Sequence, residues 1–311
     1  MPKISIILPT FNVEKYIAKA LESCINQTFK DIEIIVVDDC GSDKSIDIAK
    51  EYSKKDKRIK IIHNEKNLGL LRARYEGVKV ANSLYIMFLD PDDYLELEAC
   101  EEVSKYLDQN NDLICFNFTK IYNQEKKDLC FYYINGNYNI SEFRYFLFTR
   151  YPYMQWNIWA KVLKKEKYLN AYKLLEISDN DKINMAEDAF LYIFYLPLCN
   201  YIQTLDKSLI NYCILDNSLS NGLTSDKLLK IVYDMRYLYK RIQTIKKKNK
   251  KLFSQYKGLY DCFSMAFERE IYAYYFTYLK DKERYNIFHR IFKKYLKIKN
   301  LIFQKIYLIF L

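Results

Sequence analysis

Tyr85-Ile86-Met87-Phe88-Leu89-Asp90-Pro91-Asp92-Asp93-Tyr94 runs an apolar strand straight into three carboxylates around a proline. A buried strand that ends in clustered hard oxygen ligands can hold Mg²⁺ or Mn²⁺ at the carboxyl edge of a sheet, with a phosphorylated substrate supplying the remaining oxygens. The same residues also suit a solvated turn that ends one strand and caps the next helix. The stretch alone leaves both readings open, so its surroundings decide.

Outward from it, the first 120 residues alternate apolar runs with amphipathic stretches, the pattern of a parallel sheet with crossover helices. Strands are predicted at Ile4–Leu8, Ile32–Val37, Ile59–Ile62, Tyr85–Leu89 and Leu113–Phe116, and helices at Glu14–Gln27, Ser42–Lys54, Leu70–Ala81 and Glu96–Leu107. Beyond residue 120 come aromatic-rich segments, then a helix over Ala186–Leu196 with Glu187 and Asp188 at its positive end. From Asp226 the pattern is almost wholly helical, broken by lysines near 246–251. The expected class is α/β, a Rossmann-like, mostly parallel sheet with helices on both faces, followed by a mainly helical C-terminal region.

Ligands of such sheets sit at the carboxyl ends of the strands, where this chain places Pro9-Thr10-Phe11-Asn12, Asp38 to Asp43, Asn64 to Gly69 and Asp90 to Asp93. With glycine only at 41, 69, 77, 136, 222 and 258, neither a G-x-G-x-x-G fingerprint nor a P-loop can be written, which argues against dinucleotide dehydrogenases and P-loop NTPases.

Taken together, ISIILPTFNVEKYI, EIIVVDDCGSDKS, NEKNLGLLRARYEG and YIMFLDPDDYL, followed by WNIWAKV and NMAEDAF, resemble the family 2 inverting glycosyltransferases of GT-A fold. The N-terminal half is similar in particular to lipooligosaccharide β-galactosyltransferases of Campylobacter type. The resemblance covers about residues 1–220, with 1–120 as the nucleotide-binding half, 121–220 as the acceptor-side half and 221–311 as a helical extension. It implies a UDP-hexose donor, UDP-galactose in the first instance, and a glycolipid or oligosaccharide acceptor. UDP-GalNAc, UDP-GlcNAc and UDP-Glc are the alternatives.

Carried over residue by residue, the resemblance puts Pro9, Thr10, Asn12 and Glu14 in the nucleotide pocket and Asp39 on the uracil imide. Asn67, Gly69 and Arg74 come from the third segment, with Arg74 approaching the diphosphate. Asp90 would face the ribose and the metal, and Asp92 would bind Mn²⁺ or Mg²⁺ directly. Asp188, with Glu187 beside it, would be the general base, although an acid pair at a helix N-terminus is by itself ordinary. Adjacent helical residues point about 100° apart, so one of the two takes the proton while the other orients it. Trp159 and Trp156 are acceptor-side candidates, with Trp156 also suited to core packing. The stretch INYCILDNSLS at 210–220 lacks the histidine that many relatives carry there, leaving the metal fewer protein ligands.

Charge and composition bound the rest. The net charge of +10 is concentrated late: 240–251 holds seven basic groups and 285–311 six, neither with an acid. Basic residues beside an apolar stripe in 288–311 suit a helix lying on an anionic membrane, or a core helix with a solvated face. Nucleic-acid binding is disfavoured, because the charge lies away from the polar strand ends and no nucleic-acid motif is present. Eight scattered cysteines without zinc-like spacing read as reduced thiols. With a strand directly after Met-Pro-Lys and no apolar run of roughly 18 residues, a cytoplasmic protein, peripheral on the inner membrane face, is expected.

Overall fold

The computed structural model describes residues 1–122, 126–149, 155–178, 181, 183, 185–215, 224–255, 257–281, 294 and 297. Its strands are β1 (Ile4–Thr10), β2 (Ile32–Asp38), β3 (Ile59–His63), β4 (Tyr85–Phe88), β5 (Tyr94–Leu95), β6 (Leu113–Tyr122), β7 (Lys126–Cys130), β8 (Gly136–Asn139), β9 (Lys161–Lys164) and β10 (Tyr201–Ile214). The helices are α1 (Ile17–Ile25), α2 (Ser45–Lys55), α3 (Leu70–Val80), α4 (Ala99–Ser104), α5 (Ile140–Thr149), α6 (Lys165–Leu174), α7 (Glu187–Tyr195), α8 (Ser225–Lys248), α9 (Lys250–Gln255) and α10 (Lys257–Asp281).

All strands join one sheet, ordered β3-β2-β1-β4-β9-β6-β10-β5, with β7 on β6 and β8 on β10. The β3-β2-β1-β4 run is parallel. Every residue of β1 is buried, as a central strand covered on both faces requires. Ile4, Ile6 and Leu8 pack with Leu21 and Cys24 of α1 and Val103 of α4. Ile7, pointing the other way, meets α3 at Gly77, where a Cβ would lie 2.5 Å from Ile7 Cγ2 and 2.9 Å from Val37 Cγ2. Helix α3 therefore beds directly onto the sheet because residue 77 has no side chain.

The sheet departs from the expected five-strand series between β4 and β6. Antiparallel β9 inserts there, pairing Met87 with Val162 and Leu113 with Leu163. A four-residue strand inside an aromatic stretch carries too little alternation to be recognised from sequence. β10 then runs parallel to β6, and short β5 closes the edge against Ile210 and Asn211. Three helices also start later than expected, among them α4, which runs from Ala99 to Ser104 where Glu96–Leu107 is expected. The first begins at Ile17, after a turn in which Tyr16 N–H donates to Val13 O. The second begins at Ser45, whose N–H and hydroxyl both donate to Asp43.

The chain divides into two compact units, Met1–Asn139 with Asn157–Leu215, and Ile140–Trp156 with Asp216–Leu311. The first holds the whole sheet. In the second, α8 and α10 form an antiparallel-type helix pair joined through α9, and the lysine run expected to break the helix does so at Asn249. Among the described residues no helix is long and apolar enough to cross a membrane. The basic apolar segment at 285–311 lies outside the described residues, apart from Lys294 and Lys297.

Candidate active site

Three loops at the carboxyl ends of β1, β2 and β3 are tied together by side chains from the predicted pocket. Asn12, at φ 53°, accepts from Ser42 N through Oδ1 at 2.7 Å. Glu14 accepts from Lys44 N at 3.0 Å, and its own N–H donates to Asp43 at 2.8 Å. Pro9 and Thr10 are buried at the end of β1, where the Thr10 hydroxyl donates to Leu8 O at 3.1 Å.

Asp39 is the knot between the second and third loops. Its Oδ1 accepts from Asn64 Nδ2 and Leu68 N, both at 2.8 Å, and its Oδ2 accepts from Gly69 N at 3.0 Å. Asn67 Nδ2 adds a bond to the Asp39 carbonyl at 3.1 Å. Gly69 takes a φ of 82°, a value favouring glycine, and so presents its N–H to the carboxylate as α3 begins. A uracil imide would thus be the fourth donor on an aspartate that already organises the loop. Asp38, by contrast, binds Cys40 N and His63 Nδ1.

Arg74 is the centre of the site. It is 1% exposed, yet its guanidinium gathers three carboxylates from distant parts of the chain: Asp90 at 2.7 Å, Glu187 at 2.9 Å and Asp188 at 2.5 Å. The expectation that Arg74 approaches a diphosphate differs from this arrangement, in which both of its terminal nitrogens are engaged by carboxylates. The reason is charge balance. Three acids around one guanidinium, Glu187 buried and Asp90 and Asp188 partly so, leave excess negative charge, and burial together with the neighbouring Asp188 pushes the Glu187 carboxyl well above the usual carboxylate range. Asp188 reaches further, its Oδ2 accepting from Ile158 N at 3.3 Å.

The turn after β4 is also short of cations. Among the described residues none lies within ion-pair distance of Asp92, which burial and nearby Asp90 push up to about 6. Asp93 is 2% exposed. It fastens the turn to β10 by accepting from Cys213 N at 2.7 Å, while its Oδ2 is buried without a partner. Burial and Asp92 push it well above the usual carboxylate range. Among the described residues no group of three or more His, Cys, Asp or Glu side chains is arranged to hold a metal by itself. Asp90 and Asp92 nonetheless fit a hard divalent ion, since Mg²⁺ is commonly held by one or two carboxylates plus substrate phosphates, and an unpaired carboxylate is the natural ligand.

The tryptophans separate. Trp159 stacks on Tyr212 (4.9 Å between ring centres, 7° between planes) and meets Phe118 edge-on, forming a partly buried aromatic wall next to Ile158. Trp156 belongs to the second unit, where its ring packs edge-on against Phe267 at 6.2 Å. Lys161, given no role from sequence, is fully buried on β9. A lysine within the apolar AKVL run was the only signal that could have singled it out.

Residues 5–159 match the family described as Glycosyl transferase family 2. The chain belongs to this family. As a family 2 chain it is 30% identical over 227 residues to the uncharacterized glycosyltransferase EpsJ of Bacillus subtilis (strain 168), covering 71% of this chain and 63% of EpsJ. It is 41% identical over 112 residues to the minor teichoic acid biosynthesis protein GgaB of the same organism, covering 35% of this chain and 12% of GgaB. The chain spans less than two thirds of the length of these curated relatives. In fold it is similar to the crystal structure of S. aureus TarS 1-349 in complex with UDP-GlcNAc, with a TM-score of 0.59 at 19% identity, covering 91% of this chain and 89% of that one.

Proposed function

We propose that this protein is a metal-dependent inverting glycosyltransferase that moves a hexose from a UDP donor onto a lipooligosaccharide or other cell-surface glycan. Family membership supports the reaction class. The observation that carries the mechanism is the Arg74 hub, which joins the strand-end turn expected to meet the donor (Asp90) to the acid pair expected to meet the acceptor (Glu187 and Asp188).

In this reading, the loops knotted by Asn12, Glu14, Asn67, Gly69 and Asp39 cradle the nucleotide, with Asp39 accepting from uracil through its remaining lone pair. Asp90 and Asp92 would hold Mn²⁺ or Mg²⁺, which would supply positive charge to offset that of a departing diphosphate. Asp188 takes the proton from the acceptor hydroxyl as it attacks the anomeric carbon opposite the leaving group. One of its oxygens is fixed by Arg74 and the other faces the Ile158 N–H, so the carboxylate is oriented before the acceptor arrives. Glu187, held on the same guanidinium, orients its neighbour. Trp159 offers an aromatic face to the acceptor sugar, whereas the packing of Trp156 favours a core role.

Galactose is the proposed hexose, on the resemblance of the N-terminal half to lipooligosaccharide β-galactosyltransferases. The UDP-GlcNAc complex of TarS favours N-acetylglucosamine as the second choice, and the teichoic acid role of GgaB widens the acceptor class to other surface polymers. The protein is proposed to work in the cytoplasm, held on the anionic inner membrane face by its basic C-terminal segment.

Screening UDP-galactose, UDP-glucose, UDP-GalNAc and UDP-GlcNAc for UDP release, with and without Mn²⁺, tests this reading. One donor should stand out, EDTA should abolish its turnover, and Asp188→Asn should lower transfer by roughly 10² or more while sparing donor binding. Full activity in EDTA would remove the metal from the mechanism. Near-normal transfer by Asp188→Asn, with loss in Glu187→Gln, would move the base to the neighbouring residue.

A further inference from the structure

Lys161 poses a physical problem. It is fully buried, lies over the Tyr192 ring at 5.1 Å, and has no carboxylate within ion-pair distance among the described residues. Desolvating an ammonium without a counter-ion is unfavourable, and an apolar residue would suit this position on β9 better. Its surroundings are Cys115, directly opposite on β6, and Tyr192 and Asp188 on α7. Burial lowers its pKa to about 8, with Cys115 and Asp188 opposing that shift. Its hydrogen bond goes from Nζ to the carbonyl oxygen of Asn157.

That carbonyl and the Ile158 N–H belong to the same peptide unit, and the Ile158 N–H donates to Asp188 Oδ2. The cation and the carboxylate therefore grip the two ends of one peptide plane. We propose that Lys161 is a positioning residue for Asp188, holding the carboxylate through the Asn157–Ile158 peptide, which its ammonium polarises and fixes. The inference rests on the assignment of Asp188 as the base.

The physics is that of a short hydrogen-bonded chain. An ammonium on the carbonyl draws electron density through the amide and makes the N–H at the other end a stronger donor. The carboxylate that receives this bond is held on a second side, complementing Arg74 on its other oxygen. A base fixed at both oxygens keeps one geometry relative to the acceptor, which is worth rate, not affinity. The arrangement also gives the buried lysine a use that an apolar side chain could not supply.

The test combines spectroscopy with kinetics in the full chain. Lys161→Met keeps the length of the side chain and removes its donors. The Ile158 amide proton, followed in ¹⁵N-labelled protein, should move upfield in Lys161→Met and also in Asp188→Asn. With the UDP-sugar selected by the donor screen, Lys161→Met should lower kcat about tenfold, the loss expected from weakening one charge-assisted hydrogen bond, with the donor KM unchanged. In the Asp188→Asn background the same substitution should add no further loss.

An Ile158 amide that stays in place in Lys161→Met, or a kcat left unchanged, overturns the proposal. A parallel fall in melting temperature, donor binding and kcat would make Lys161 merely structural. If Asp188→Asn keeps full transfer, the base assignment fails instead, and the amide shifts still report whether the bridge exists. Should Lys161→Met not fold, the bridge is read from its other end in folded Asp188→Asn: the ¹⁵Nζ signal of Lys161 should titrate at lower pH than in wild type. An unchanged midpoint there also overturns the proposal.

Discussion

Arg74 is one residue on which three acids depend. Removing it leaves Asp90, Glu187 and Asp188 crowded together without a counter-charge. Arg74→Met should destabilise the protein by about 3–5 kcal/mol, the usual consequence of orphaning buried charges. Because the stranded carboxylates then bind protons more tightly when folded, the deficit should shrink as pH falls; thermal melts at pH 8 and pH 5 measure this. An equal deficit at both values would mean that lost packing, not charge, is responsible. Replacing Asp92 should act on stability in the opposite direction. Its pKa is raised from 3.8 to about 6, so the metal-free folded state holds its proton more tightly than the unfolded chain, and stability falls as pH rises through that interval. In EDTA at pH 7, Asp92→Asn should melt no lower than wild type, with the difference vanishing below pH 4, while the proposed metal-dependent turnover should be lost. A variant that melts lower at pH 7 would show that the carboxylate is already well paired.

At the scale of elements, the site depends on how closely α3 lies against the sheet, since this helix carries Arg74. Gly77 faces Ile7 of β1 and Val37 of β2 with no room for a methyl group. Gly77→Ala should lift the helix and lower stability by about 1–3 kcal/mol despite alanine's higher helix propensity, read as a reduced denaturant midpoint. A stabilised Gly77→Ala would mean that the neighbouring methyls yield freely. The strand ends matter in the same way. Asp39 links the loops after β2 and β3 through three accepted hydrogen bonds, so its loss would disturb the proposed donor pocket and the start of α3 together. Its two functions are separable only by comparing UDP affinity with thermal stability in the same variant.

For the whole molecule, chemistry and basicity lie in different parts of the chain. The sheet and every candidate catalytic residue belong to the first unit, whereas the lysine run at 246–251 belongs to the second, and the basic C-terminal segment follows α10. Deleting residues 285–311 should abolish binding to anionic liposomes and largely preserve turnover on a soluble acceptor. Co-sedimentation with phosphatidylglycerol vesicles, compared with neutral ones, measures the first effect. Unfolding of the shortened protein would support the alternative in which this segment completes a core.

The sequence by itself determined the sheet's parallel half and the polar character of its strand ends. Uninterrupted apolar runs such as Ile32–Val37 and helices of 3.6-residue period are local signals, written in neighbouring residues. It also supplied the motifs by which Asp39, Asp90, Asp92 and Asp188 were picked out. Only the tertiary structure decided what those residues touch. Arg74 and Asp188 are 114 positions apart, and no periodicity reports that a guanidinium expected beside phosphate is enclosed by acids. The insertion of β9 between β4 and β6 depends on pairings at both edges, for which a four-residue strand carries no distinctive pattern. The Lys161–Asn157–Ile158–Asp188 bridge likewise arises because folding brings α7 beside the start of β9. Local periodicity encodes elements, but partners distant in sequence are chosen by packing and by the need to pair buried charge.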